Sequence, residues 1–447
     1  MKKIFNILLF VLLFVCLSGC KNSNVSKTEV ETETIETIED SLLKKEIKTT
    51  LNKYIDSLLD KTPSYIPYWN KESYKGRWNY IDGVFLNSVV NLYNETKDEK
   101  YKDFFLNYIN YYINNNGDFI NPETLESNFK SGELDSICAS RILFDAYEMT
   151  KDNKYLLAIE NTYFYLNQMP KAYNSLNFSH KDIYINQIWL DGMYMYVPFY
   201  VRYANYKNIP EIYNIVKEQY KYIRDNMFSL EKQLYYHGHD TTKSIFWADK
   251  NTGNSKSFWL RSMGWYIVSL TDSIEYIKDY EVKSYLKLLL KEAIEGILQY
   301  RDEESKMFYQ LVDRGVYKFL VTSKYLEGLK NTAYMVDGKY KHTYIDNYLE
   351  SSGSSMIAYA LMKSARLRYI DRDLYQKGVE CFEGIYNHSV SIDDEVHLND
   401  ICITAGLGPE SREYRDGSVS YYLAEPVGSD DGKGVGPFIM AYLEYIK

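Results

Sequence analysis

The sequence predicts an all-α fold, an (α/α)6 toroid or barrel of six helical hairpins. Three observations lead there. Only 9 Pro and 23 Gly occur in 447 residues, too little punctuation for many short strands. At 45% hydrophobic and 25% charged residues, the composition is that of a globular chain with a sizeable core. A helix-turn-helix unit also repeats: Tyr93-Asn-Glu-Thr-Lys-Asp-Glu-Lys-Tyr101 matches Tyr147-Glu-Met-Thr-Lys-Asp-Asn-Lys-Tyr155 at an offset of 54 residues. In each copy the Asp is placed to cap the following helix.

Looser copies around Tyr203–Pro210, Tyr276–Glu281 and Arg368–Asp373 extend the pattern. The predicted pairs are 82–96 with 99–114, 133–150 with 153–168, 189–205 with 210–226, 258–276 with 281–299, and 351–369 with 372–386. A helix at 41–60 has no predecessor and one at 435–446 has no successor, so pairing them closes six hairpins. Connections within hairpins are short, whereas those between hairpins run through 115–132, 169–188, 227–257, 300–350 and 387–434. All the long loops then fall on the pole where every inner helix begins, the place to look for a site.

The chain opens with Lys2 and Lys3, an apolar run Ile4–Leu17 and Leu17-Ser18-Gly19-Cys20. This reads as a signal peptide over 1–19, the run being too short to span a bilayer. Leu-Ser-Gly-Cys resembles the bacterial lipobox, which implies cleavage before Cys20, lipidation there, and a place in the bacterial cell envelope, held to a membrane by that lipid. Residues 20–40, the lipidated Cys and a Thr/Glu-rich stretch, are expected to be a flexible tether, and 41–447 a single catalytic domain. Losing Lys2 and Lys3 takes the net charge from −9 to −11, so nucleic acid is not an expected partner. A monomer is expected. Cys138, Cys381 and Cys402 are too scattered for a disulfide framework or a zinc signature. The 47 tyrosines suit sugar binding, a flat ring stacking on a pyranose while its hydroxyl hydrogen-bonds.

Asp135 and Asp191 open successive inner helices and are expected to face each other across the funnel, where like charges would raise one pKa and make a proton donor beside an ionised partner. A helix N-terminus opposes this by favouring the ionised form. Tyr235-Tyr236-His237-Gly238-His239-Asp240 offers no third strong ligand at fixed spacing, so no metal is expected and hydrogen bonding to a polar ligand is preferred. Trp189, Trp247, Trp259 and Trp265 fall near site loops or helix starts, with burial in the barrel core as the plain alternative. Arg261 is the natural counter-ion for a substrate carboxylate. There is no GxxxxGK[ST] loop and no G-x-S-x-G elbow, and no cofactor is implied.

At Gln187-Ile-Trp-Leu-Asp191-Gly192, Tyr235–Asp240, Phe258-Trp-Leu-Arg261-Ser-Met-Gly-Trp265, Glu350-Ser-Ser-Gly-Ser-Ser-Met356, Tyr421-Tyr-Leu-Ala-Glu-Pro426 and Lys433-Gly-Val-Gly-Pro437, the chain resembles glycoside hydrolase family 105, the unsaturated rhamnogalacturonyl hydrolases. The resemblance spans nearly all of 40–447. It implies a glycosidase acting on unsaturated uronyl oligosaccharides left by pectin lyases, with Asp191 protonating C4 of the C4=C5 bond and helping water attack C5. It also implies that Asp135 contacts sugar hydroxyls and tunes the acid. His180, His237, Trp189, Trp259, Arg261 and Trp265 fall in segments that line the family's sugar site, with His239 as an equal candidate for the role of His237. Asn79, Tyr80 and Asp82 do not identify the group that meets the uronate. Three other readings stand beside this one: the same chemistry on ulvan or glycosaminoglycan fragments, a surface glycan-binding lipoprotein without catalysis, and an (α/α) polysaccharide lyase.

Overall fold

The computed structural model describes residues 26–447 except 62, 64–66 and 72–75. The leader and Cys20 lie outside the described residues. The chain divides into a unit ending at Asn52 and a unit Lys53–Lys447. The first described helix spans Ser26–Asp60, and so reaches back into the stretch expected to be a flexible tether. Its sequence gives the reason: Val30, Ile35, Ile38 and Leu42 recur every three to five residues among helix-forming Glu, a helical spacing that the Thr/Glu-rich composition masks.

In the unit Lys53–Lys447 the inner helices are Tyr80–Thr96, the broken segment Asp135–Thr150, Leu190–Lys207, Leu260–Ile274, Ser351–Arg366 and Gly432–Tyr445. Each packs on the next, and Gly432–Tyr445 packs back on Tyr80–Thr96, which closes the ring. Outside them lie Glu99–Tyr112, Asn153–Asn167, Glu211–Met227, Tyr280–Leu298 and Leu374–Ser389, each against its hairpin partner. The Tyr54 hydroxyl donates to Asp430 at 2.7 Å, tying the end of the first helix to the start of the last. Outer helices are amphipathic, but inner ones such as Leu190–Lys207 are buried on nearly every face, because neighbours and core surround them.

The repeated Thr-Lys-Asp has a mechanical explanation. Lys97 and Lys151 take the left-handed conformation (φ 57° and 59°) and donate their N–H to Tyr93 and Tyr147 C=O, ending one helix. Asp98 and Asp152 then accept from Lys100 and Lys154 N–H, starting the next. The second inner helix breaks into Asp135–Cys138, a 3-10 turn Ala139–Arg141, and Ile142–Thr150. Gly83 explains how close that segment lies: a Cβ there would come within 2.5 Å of Ala139 Cα.

Toward the ends of the inner helices, away from the cavity, the barrel interior is ionic. Asp272 accepts from Arg141 at 2.7 Å, from Lys363 at 2.9 Å and from the Tyr359 hydroxyl at 2.8 Å, all on inner helices. Burial alone would push the Asp272 carboxyl up, but the two cations hold it well below the usual carboxylate range. Cys138, Cys381 and Cys402 are buried and unpaired, and burial pushes their thiols up to about 12.

Candidate active site

The inner helix starts surround a cavity of about 310 Å³ whose walls include Tyr80, Asp135, His180, Lys181, Trp189, Asp191, Trp259, Arg261, Trp265 and Lys433. Backbone hydrogen bonds between loops bring its parts together. Leu134 N–H donates to His180 C=O at 3.2 Å, which sets Asp135 beside His180, and Leu190 N–H donates to His237 C=O at 3.0 Å, which sets Asp191 beside His237. A short ladder, Gln187–Trp189 against Gly238–Asp240, holds the second junction in register. Gly192 makes room, since a Cβ there would press on Leu134 and approach His180 Nδ1 to 3.4 Å.

Neither aspartate caps its helix. The caps before them, Leu134 and Trp189, make no side-chain cap bond, whereas Glu350 caps its helix through Ser352 and Gly353 N–H. The two carboxylates have different surroundings. Asp135 lies 2.6 Å from Lys181 Nζ and 3.4 Å from His180 Nε2. Burial raises its pKa, but Lys181 and then His180 overrule that and hold it well below the usual range, so Asp135 is an anion. Its environment is set by this pair of bases, where sequence reasoning had invoked repulsion between the two aspartates. Asp191 Oδ2 is 3.1 Å from His237 Nε2, near enough for an ion pair but out of line for a hydrogen bond.

The aromatic residues frame the cavity. Trp189 stacks on His180 at 4.3 Å and on Tyr184 at 5.1 Å, Trp259 lies 4.8 Å from the His237 ring, and Trp265 meets Tyr194 at 4.4 Å. These three indoles are both buried and on the cavity wall, so the two alternatives for them coincide. Trp247 is wholly buried, packed with Trp189 and Leu407, and is not on the wall. Arg261 is on the wall but braced from behind, donating to Ser352 Oγ at 3.2 Å and to Cys402 C=O, with Glu350 at 4.0 Å and the Trp259 ring at 4.8 Å.

The two histidines of the loop separate. His237 is wholly buried behind Asp191 and does not line the cavity. His239 also lies off the wall, its Nδ1 2.9 Å from Asn254 Oδ1 and its Nε2 3.5 Å from the Tyr222 hydroxyl, and burial holds its pKa down. Neither ring is among the residues that line the cavity. Asp240 shapes its own loop by accepting from Thr242, Ser244 and Ile245 N–H.

The Glycosyl Hydrolase Family 88 model matches residues 51–343 and 339–447. A solved C. acetobutylicum glycoside hydrolase from family 105 is 31% identical, with 89% of this chain and 98% of that chain covered and a TM-score of 0.74. The chain belongs to the family 88/105 glycoside hydrolases. The unsaturated glucuronyl hydrolase of Bacillus sp. GL1, responsible for the degradation of glycosaminoglycan, shares the fold at 14% identity, with 88% of this chain and 96% of that chain covered and a TM-score of 0.57. Protein Atu3128 of Agrobacterium fabrum is 29% identical over 256 residues, 56% of this chain and 97% of its own.

Several wall residues of this glycoside hydrolase escaped the sequence reading. Lys181 follows His180 directly and is bound by Glu133 and Asp135, a charge pattern that was visible but had no spatial partner. The segment 404–415 contributes Thr404, Ala405, Gly406, Pro409, Ser411, Arg412 and Arg415, from a loop whose path carries no periodic signal. The other long loop, 300–350, supplies no wall residue among those described; its Lys318–Val321 and Thr343–Asp346 ladder packs on the Val419–Ala424 helix instead.

Proposed function

We propose that the protein removes a Δ4,5-unsaturated galacturonate from the non-reducing end of lyase-generated rhamnogalacturonan oligosaccharides by hydrating the C4=C5 bond. Asp191 carries the reading. Of the two carboxylates on the cavity wall, Asp135 is kept anionic by Lys181 and His180, which leaves Asp191 as the proton donor. The Asp191 carboxyl gives its proton to C4, water attacks C5, and the carboxylate takes the proton that the water loses. The resulting hemiketal opens and the aglycone departs, leaving Asp191 protonated as it began. Because no displacement occurs at the anomeric carbon, the spacing of the two carboxyls does not set the stereochemistry. Asp135 accepts hydrogen bonds from sugar hydroxyls, and indole faces pack against the ring.

The wall supports an acidic substrate, since Lys130, Lys181, Arg261, Arg412, Arg415 and Lys433 surround two aspartates. The cavity size falls at the lower end of the range for small-ligand sites. We further propose that lipid on Cys20 holds the enzyme on the bacterial cell envelope, where lyase products arrive.

The test follows ultraviolet absorbance of the unsaturated uronate with the chain from Lys21 onward. Rhamnogalacturonan, chondroitin and ulvan lyase disaccharides are compared. Loss of absorbance on the first, reduced ~10²–10⁴-fold by Asp191→Asn, is the expected result. Turnover of another uronide alone would replace the polymer; no turnover of any by folded protein would favour glycan binding, and a rise in absorbance on intact polymer would mean a lyase.

A further inference from the structure

Behind Asp191 the protein continues as a chain of polar groups that the hydration scheme does not use. His237 Nε2 lies 3.1 Å from Asp191 Oδ2, and His237 Nδ1 lies 2.6 Å from the Tyr422 hydroxyl. Both rings are wholly buried. Tyr422 comes from the distant Val419–Ala424 helix, and its ring is fixed beside Trp259 at 6.0 Å and in an apolar cluster with Leu311 and Val321. Burial pushes the Tyr422 pKa well up, so this hydroxyl keeps its proton. The contact at Nδ1 is then O–H donating to nitrogen, and the imidazole proton stands on Nε2, facing Asp191.

Asp191 Oδ2 is buried, so the accessible edge of this wall carboxyl is on its Oδ1 side. We propose that Tyr422 is a positioning residue for the acid: it locks His237 as the Nε2–H tautomer, which holds Oδ2 and leaves Oδ1 as the oxygen that delivers and recovers the proton. The proposal rests on the assignment of Asp191 as proton donor. The one proton that moves is the one exchanged between Oδ1, C4 and water. A modest rotation of the carboxyl would bring the N–H into line, the usual tightening on substrate binding.

Other charged groups near this chain are mostly tied elsewhere. Asp135 is bound to Lys181 and His180, Arg261 faces Glu350, Arg415 lies 3.9 Å from Glu425, and Lys433 lies 3.0 Å from Asp431. Asp416, Glu425 and Cys402 act on Tyr422, and Tyr80 lines the cavity.

The test has two arms. Nitrogen-15 spectra of the histidine rings in the free protein, with His237 assigned by its absence in His237→Asn, should show a protonated Nε2 and a bare Nδ1 at neutral pH. An Nδ1–H tautomer or an imidazolium in wild type overturns the lock. Tyr422→Phe, checked for folding, should lower kcat about tenfold, the worth of one buried hydrogen bond, with KM within about twofold. Its alkaline activity limb should move upward, because a carboxylate that loses its donor holds its proton to higher pH. A folded Tyr422→Phe with unchanged kcat and pH profile also overturns the proposal. If wild type hydrates no unsaturated uronide, the functional assignment fails, while the tautomer measurement still decides the lock.

Discussion

Asp82 provides a stability test that can be worked through from its contacts. It sits wholly buried in the first turn of the Tyr80–Thr96 helix, accepting from Asn79 Nδ2 at 2.7 Å, the Tyr108 hydroxyl at 3.0 Å and Asn70 Nδ2 at 3.1 Å. Burial pushes its pKa up to about 7, and these hydrogen bonds oppose that only in part. In the unfolded chain the same carboxyl titrates near ~3.9. Between those values the native state holds a proton that the unfolded state has lost, so stability is full below about pH 4, falls as pH rises, and has lost its whole share above about pH 7. At about 1.4 kcal/mol per tenfold in affinity, three decades amount to roughly 4 kcal/mol.

Asp82→Asn removes the titration at nearly constant shape. The new amide can keep its oxygen toward Asn79 and Tyr108, and Asn70, whose Oδ1 has no partner among the described residues, can turn over to accept from the new NH2. Urea unfolding of both proteins at pH 4, 5, 6, 7 and 8 isolates the effect, because every other titrating group cancels in the difference. The variant should match wild type near pH 4 and exceed it at pH 8 by up to roughly 4 kcal/mol. Two parallel stability curves across that range would refute the reasoning.

Three further outcomes are expected. Lys181→Met removes the ammonium 2.6 Å from Asp135 that holds it ionised, so the acid limb of the activity profile should move up in pH. Asp272→Ala leaves Arg141 and Lys363 buried without their shared anion; urea unfolding should show a loss of about 3–5 kcal/mol at pH 7, with KM little changed. Because the Asp272 carboxyl is held low, that gap should persist from pH 8 to 5 and narrow only below the unfolded value near ~3.9. If Cys20 carries lipid, growth with a labelled fatty acid should mark the full chain, and Cys20→Ser should abolish the label.

The repeated Thr-Lys-Asp turns illustrate what can be read without coordinates. A left-handed Lys, a returning N–H and an Asp cap act within a few residues, so local sequence contains the whole device. Apolar spacing did the same for the paired helices between Tyr80 and Tyr445, whose ends were placed within three residues. Where composition was read in place of spacing, at Val30 to Leu42, a tether was expected and a helix stands. Asp135, His180, Trp189, Asp191, Trp259 and Arg261 each lie at a helix start or in the long connection before one, Trp265 follows one turn into its helix, and all line one cavity.

The helical ring, the pole that carries the cavity and the family were legible in the chain, because helix periodicity, turn chemistry and contiguous motifs are local. Only the packing of distant segments sets which aspartate is kept ionised, that His237 stands behind Asp191 while His239 turns to Asn254, and that Arg412 and Arg415 from a late loop and Tyr422 from a late helix come to the site. The contacts behind those outcomes are about 3 Å long and join residues 15 to 185 positions apart in the chain, and burial fixes which proton stays where.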